Sequence, residues 1–376
     1  MKVLTIISHT EHYKAPDGTI VGLGSTITEI NHLLTVFDQI NHVAMLHETS
    51  APASALPYIS DAIKFIPIKA VGGQRFVDKI SVFWQAPKVL STVRKALNQS
   101  DCFQFRAPTG IGVYVIPYLM LFSSKKGWFK YAGNWKQKNA PIAYRFQKWV
   151  LKNQKRHVTI NGAWPSQPSQ CLTFENPCLN SIDIEKGEQV VRHKVLSTNQ
   201  INFCFVGRLE KEKGIGLLIN AFKSLSEDDT SRIGHIDIVG HGRAMEVYKN
   251  DARDTKLNVH FHGFLSREKV HDIYIKSHAI VLPSASEGFP KVIAEALNFG
   301  CLPVVSNVSG ISDYIKDGKN GFLLDDISVE GIVAKLQSIL KLTAQDYRAM
   351  TGFERENIEK FTFEYYNSRI KNELLK

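Results

Sequence analysis

At 376 residues and 44% hydrophobic content, the chain is long enough for two ordinary domains and apolar enough for a real core. Its five cysteines (Cys102, Cys171, Cys178, Cys204, Cys301) are scattered without a C-x-x-C pair, which argues against a disulfide scaffold or a zinc site and for reduced thiols. The net charge of +10 is carried unevenly, and it bears on partners more than on fold.

The opening apolar run, residues 1–8, is too short for a signal peptide and reads as a first strand. That strand covers residues 3–8; further strands are expected at 43–46, 63–68 and 101–105, and helices at 25–40 and 86–99. Just before the first helix stand Gly22 and Gly24, a G-x-G that lets the backbone approach a phosphate or simply turn. It lies too far beyond the first strand for a dinucleotide fingerprint. The apolar run 110–122 is interrupted by Pro117 and is too short to span a bilayer. These features point to a cytoplasmic protein, at most peripheral on the inner face of a membrane.

Between Asp101 and Glu175 there is no acidic residue. The same interval holds Arg106, Lys125, Lys126, Lys130, Lys136, Lys138, Arg145, Lys148, Lys152, Lys155 and Arg156, interleaved with Trp128, Tyr131, Trp135 and Trp149. Cations mixed with amphipathic aromatics suit an anionic membrane surface, with Trp128 and Trp135 as anchors. A plain solvated face has the same composition. No nucleic-acid recognition motif accompanies the charge, so nucleic acid is not expected as a partner.

Residues 180–200 are polar and lack clear periodicity, so the domain join is expected there. The division becomes 1–180 and 181–361. Beyond it, strands at 201–206, 235–239, 258–262, 278–282 and 302–306 alternate with helices at 215–225, 243–251, 267–276 and 290–299, the third with Ser266 as N-cap. Such alternation predicts an α/β fold with a parallel sheet and crossover helices. A last helical pattern covers 362–375.

Several loops carry candidate chemistry. Gly207-Arg208 follows a strand and Lys213-Gly214 precedes a helix, so two cations and a helix N-terminus can face a diphosphate. Residues 306–312 lead from a strand into another helix start and can offer backbone N–H groups. Glu287 and Glu295 flank seven mostly apolar residues, and eight helical steps separate them by roughly 12 Å. One carboxylate would stand at the loop–helix junction and the other inside the helix. His260 and His262 share one strand face but lack a third ligand at useful spacing, and the pairs at 228–229 and 325–326 read as solvated loop acids, so no metal site is expected.

In this order, VGRLEKEKG, IVGHG, HFHGFL, LPSASEGFPKVIAEAL, GCLPVVSNVSG and DGKNGFLL resemble the retaining GT-B glycosyltransferases of the group 1 type, with a looser match in the N-terminal half. The resemblance implies two Rossmann-like domains facing across a cleft, with the last helix crossing back to the N-terminal domain. It implies that Arg208 and Lys213 hold the donor diphosphate, Glu295 takes the ribose hydroxyls and Glu287 lies near the transferred sugar. Gly22 and Gly24 would close over the donor, and Gly310 and Ile311 would supply backbone contacts. Where many relatives carry D-x-x-H-x-H, this chain has Asp101-Cys-Phe-Gln-Phe-Arg106, so Arg106 stands in the place of a histidine. An arginine there holds an anion or a sugar hydroxyl but is no base.

The expected activity is sugar transfer, with retention, from a nucleotide-diphosphate sugar to a saccharide or lipid-linked saccharide, without a metal or resident cofactor. The competing readings are a nucleotide-sugar epimerase or hydrolase-like relative, and a non-catalytic protein that binds sugar nucleotides or anionic lipid.

Overall fold

The computed structural model describes residues 1–376 apart from 73–80, 138, 198–199, 286, 288 and 290. Lys138 of the basic interval, and Gly288 and Pro290 of the acid-flanked segment, therefore lie outside the described residues. The chain divides into two compact units, residues 1–175 with 363–376, and residues 176–362.

The first unit is built on β1 (Val3–Lys14), β2 (Ile20–Leu23), β3 (Gln39–His47), β4 (Ala55–Pro57), β5 (Ile63–Lys69), β6 (Cys102–Ala107), β7 (Lys126–Tyr131), β8 (Val158–Ile160) and β9 (Cys171–Thr173). A parallel sheet runs in the order β5-β3-β1-β6-β7-β8-β9, and β2 and β4 add an antiparallel flap at β1. The strand order reverses between β1 and β6.

Several elements differ from the sequence expectation. β1 runs on to Lys14 through a register shift between Ile7 and Glu11. His12 and Tyr13 carry the burial of this extension, and such side chains do not register in an apolar pattern. The first helix is Gly24–His32, ending in a 3-10 turn at Leu33–Thr35, because β3 already begins at Gln39. β7 was hidden by its lysines. Trp128, Phe129, Lys130 and Tyr131 are all buried in it, and Trp135 is buried too, so Trp128 and Trp135 are core residues and not surface anchors.

The tail closes this core. Helix Phe363–Arg369 continues as a π turn over Ile370–Leu374. Tyr366, Ile370 and Leu374 pack with Leu4, Ile6, Ile30, Leu33 and Trp128. Arg369 Nη1 donates to the Thr173 carbonyl at 2.6 Å and pairs with Glu175 at 3.3 Å.

The second unit carries β10 (Ile201–Val206), β11 (Ile233–Val239), β12 (Val259–Gly263), β13 (Ala279–Leu282), β14 (Leu302–Ser306) and β15 (Phe322–Leu324), all parallel, in the order β12-β11-β10-β13-β14-β15. Phe203 and Phe205 point into one apolar cluster and Cys204 and Val206 into another, so both faces are covered and the strand reads as a continuous apolar run. The segment read as a join contains helix Ser181–His193, capped by a reciprocal Asn180–Asp183 box. Only Asp183 and Gly187 of this helix are buried, which explains its missing periodicity.

Candidate functional site

In open parallel sheets, ligands bind outside the carboxyl ends of the strands where the strand order reverses. In the second unit that place lies between β10 and β13, whose outgoing loops are Gly207–Gly214 and Pro283–Glu287. The first loop is tied down by Gly207 N–H to the Val239 carbonyl and Leu209 N–H to the His241 carbonyl, each 3.0 Å. Ala285 N–H donates to the Glu212 carbonyl at 2.9 Å, which joins the two loops. Gly214 has φ +73°, and a Cβ there would lie 2.3 Å from the Pro283 carbonyl oxygen, so only glycine fits. Helix Ile215–Lys223 starts directly after it and aims its positive end at this place.

Lys213 Nζ donates to Glu287 Oε1 in a short ion pair. Both side chains are largely shielded. Arg208 is mostly exposed and pairs with Glu210 at 3.2 Å. Lys213 and Glu287 are thus brought together, while Arg208 stands free of that pair and faces solvent.

Glu295 lies inside helix Lys291–Asn298 and has a different set of neighbours. Tyr274 Oη donates to its Oε2 at 3.4 Å. Burial pushes its carboxyl above the ordinary range, against the opposing pull of Arg267 and Lys291. Arg267 is itself bound to Asp183 Oδ2 at 2.6 Å and to the Cys178 carbonyl at 2.5 Å. Gly310 precedes the short helix Ile311–Tyr314. The Ile311 N–H is engaged by the Val308 carbonyl at 3.3 Å, and its side chain is buried in the core.

Sequence reasoning passed over three hydroxyls here. Ser284 after β13, Ser306 at the end of β14 and Ser309 beyond it each hold a buried Oγ without a hydrogen-bond partner among the described residues. Their signal was positional only: Ser284 and Ser306 stand at the carboxyl ends of apolar strands, and Ser309 lies in the loop after one.

In the first unit, Gly22 lies in β2 and Gly24 is the first residue of a helix, so the expected free loop is a strand–helix junction. A Cβ at Gly22 would come within 2.6 Å of the His12 ring, and one at Gly24 within 2.5 Å of the Ser54 carbonyl oxygen. Arg106 donates to Glu29 Oε1 at 2.8 Å, and Lys130 donates to the same oxygen at 2.6 Å. The Arg106 guanidinium is therefore committed to a buried carboxylate. A second network was not foreseen. Ser8 Oγ meets His42 Nε2 at 2.8 Å, and Tyr58 Oη meets both His42 Nδ1 (2.7 Å) and His12 Nε2 (2.8 Å). Burial holds the His12 imidazole down at about 4 and that of His42 well below its ordinary value.

No group of three or more His, Cys, Asp or Glu side chains is arranged to hold a metal ion among the described residues. His262 Nε2 is hydrogen-bonded to Asp237 Oδ1 at 2.7 Å. The described helices include none long and apolar enough to cross a membrane.

The sequence profile of the family described as "Glycosyl transferases group 1" matches residues 188–355, which span both loops of this site. This chain carries a group 1 glycosyl transferase domain. Among relatives of the glycosyl transferase domain, an uncharacterized glycosyltransferase of Methanocaldococcus jannaschii is 32% identical over 194 residues, covering 50% of this chain and 48% of its own. The sulfoquinovosyl transferase SQD2 of Arabidopsis thaliana is 31% identical over 174 residues, covering 45% and 32%. The matched stretch thus spans less than two thirds of either relative. The solved structure of HepE from Anabaena, in complex with UDP, superposes over 100% of both chains with a TM-score of 0.69 at 14% identity. The fold is GT-B, with two Rossmann-like units each built on a parallel sheet.

Proposed function

We propose that the chain transfers a sugar from a nucleotide-diphosphate sugar to a saccharide or lipid-linked saccharide, with retention at the anomeric carbon and without a metal ion. The observation that carries this reading is the Lys213–Glu287 pair at the strand-order reversal of the glycosyl transferase domain. The bond from the anomeric carbon to the diphosphate oxygen breaks, and negative charge grows on the leaving group. Lys213, Arg208 and the N-terminus of helix Ile215–Lys223 offset that charge in place of a cation. Glu287 offers a carboxylate where positive charge grows on the sugar. The acceptor oxygen bonds to the anomeric carbon on the face the diphosphate leaves, and its proton passes to the departing phosphate oxygen. Glu295, once ionised, would accept ribose hydroxyls, and Gly310 would add a backbone N–H. HepE was determined with UDP, which supports a nucleoside diphosphate as the ligand class for this chain as well. A lipid-linked acceptor would have the protein work at a membrane surface.

A thermal-shift panel of nucleotide sugars tests the reading. The right donor stabilises the fold by roughly 2.7 kcal/mol at a hundredfold excess over Kd. Transfer to candidate acceptors is then followed in excess chelator, with the anomeric configuration read by NMR coupling constants. Absence of any shift across the panel would sink the proposal. Donor breakdown without an acceptor would point to a hydrolase or epimerase. Activity lost in chelator and restored by magnesium or manganese would remove the metal-free part.

A further inference from the structure

We propose that the outer face of helix Ile142–Lys152, with the end of helix Gly112–Phe122, is a docking surface for an anionic phospholipid bilayer. Helix Ile142–Lys152 buries Gln147, Val150 and Leu151. Gln147 anchors it by bonding Thr109 N–H at 3.1 Å and the Thr109 carbonyl at 2.7 Å. The opposite face is apolar as well. Ile142, Phe146 and Trp149, spaced i, i+4 and i+7, form one stripe and are 82%, 38% and 63% exposed. A helix turned inward for packing has no folding reason to carry such a stripe outward.

The stripe extends beyond this helix. Leu121 and Phe122, at the end of helix Gly112–Phe122, are 73% and 75% exposed. Arg156, four residues beyond helix Ile142–Lys152, donates to the Ser123 carbonyl at 2.6 Å, which ties the segment after this helix to the end of helix Gly112–Phe122. Together these side chains make an exposed apolar patch of the kind that marks an interaction site.

The charge around the patch selects the occupant. At 100° per residue, Arg145, Lys148 and Lys152 form a row along one flank of the apolar stripe. None of them, nor Lys155, forms an ion pair among the described residues. The Lys148 ammonium is held below its ordinary value by burial first and then by repulsion from Lys152 and Lys136, so the cations crowd one another without an anion. The nearest carboxylates in sequence are Asp101 and Glu175. A second copy of the chain pairing through this face would set the same unpaired cations against each other, because a two-fold interface is self-complementary. A bilayer with anionic headgroups takes both features at once: acyl chains receive Ile142, Phe146, Trp149, Leu121 and Phe122, and headgroups receive the cation row.

The surface can be tested without donor or acceptor, so its failure leaves the sugar-transfer reading standing. The full-length protein is co-sedimented with phosphatidylcholine vesicles with and without phosphatidylglycerol, at low and physiological salt. Wild type is expected to bind the anionic vesicles at least tenfold more tightly, and salt should weaken this. The pair Phe146→Ser and Trp149→Ser should reduce binding at least tenfold. The pair Arg145→Gln and Lys152→Gln should lose roughly fivefold per charge and with it the preference for anionic lipid. Arg145, Lys152 and Trp149 face water, so thermal unfolding of the charge pair and of the single change Trp149→Ser should match wild type, and Trp149→Ser alone should also weaken binding. Brominated lipid should quench a component of tryptophan fluorescence that Trp149→Phe removes. No binding to anionic vesicles at low salt, or equal binding by wild type and both variants, overturns the proposal. Concentration-dependent self-association that the apolar variant abolishes, without vesicle binding, overturns it in favour of an interface between copies.

Discussion

Lys213 and Glu287 stand 74 positions apart in sequence and hold each other through a single Nζ–Oε1 contact. An anion that takes Lys213 must therefore displace Glu287 or share the ammonium with it, and the carboxylate released is the one nearest the incoming ligand.

Removing the cation and removing the acid should thus have opposite effects on nucleotide binding. Lys213→Ala is expected to weaken binding of a nucleoside diphosphate by about tenfold or more, because a charge-assisted hydrogen bond contributes roughly 1.5–3 kcal/mol. Glu287→Gln frees the ammonium, so diphosphate affinity should hold or rise while turnover falls at least a hundredfold. Arg208→Ala should weaken affinity without changing unfolding, since Arg208 is exposed. Calorimetric titration of the three folded variants with UDP and its analogues checks this. Equal loss of affinity in Lys213→Ala and Glu287→Gln would show that the pair acts only as a structural clasp.

Glu295 predicts a conflict between stability and binding. Its carboxyl is raised by burial, so the folded state disfavours the ionised form. Its contribution to stability is full below the unfolded value near 4.3 and is lost as pH rises through the raised folded value. Glu295→Gln should therefore equal wild type in urea unfolding at pH 4 and exceed it at pH 7.5, while losing nucleotide affinity. A variant less stable than wild type at pH 7.5 would show that Arg267 and Lys291 outweigh desolvation.

Arg106 should prove structural before it proves anything else. Glu29, Arg106 and Lys130 form a buried triad on one carboxylate oxygen, and breaking such a pair costs about 3–5 kcal/mol. Glu29→Gln leaves two cations facing each other in the core, and Arg106→Ala leaves the carboxylate with less compensation. Both should lower the midpoint of urea unfolding. Full stability of Arg106→Ala would return the residue to a ligand-binding role.

Acid should unfold the protein through its histidines. Burial holds His12, His271 and His278 at about 4 and His42 well below its ordinary value. The neutral imidazole is the folded form, so stability is complete above the unfolded value of 6.5 and drains away as pH falls from there towards 4. His12, His271 and His278 are each expected to remove roughly 3 kcal/mol over that window. Thermal midpoints between pH 7.5 and 4.5 give the slope. Imidazole NMR resonances that titrate near pH 6.5 in the folded protein would contradict it.

The second unit was legible because its inner strands are buried on both faces and read as apolar runs, while β12 at the sheet edge holds no buried residue. β10 and β14 coincide with the expected ranges, and helix Arg267–Lys276 matches as well. Its loops were legible because glycine and charge cluster where strand gives way to helix. The first unit was less so, and for a physical reason. β1 is prolonged by His12 and Tyr13, and β7 hides Lys130 inside the core, so polar residue types do apolar positional work. The partners that make this tolerable, Glu29 for Lys130 and Tyr58 for His12, are 101 and 46 residues away. No local window reports such a pairing. The same blindness made Trp128 and Trp135 look like surface anchors, when the exposed aromatics of that interval include Phe122, Phe146 and Trp149.

The grouping of residues 363–376 with residues 1–175 makes the C-terminal unit an insertion within the N-terminal one. Residues 176–362 are contiguous and can be excised as one piece, whereas the other unit is stitched from two pieces of chain. A stop codon near residue 362 would strip Tyr366, Ile370 and Leu374 from beside Leu4, Ile30 and Trp128. It would leave the neighbouring sheet in sequence nearly untouched. Genetic lesions within residues 363–376 should therefore present as defects of the unit built on residues 1–175.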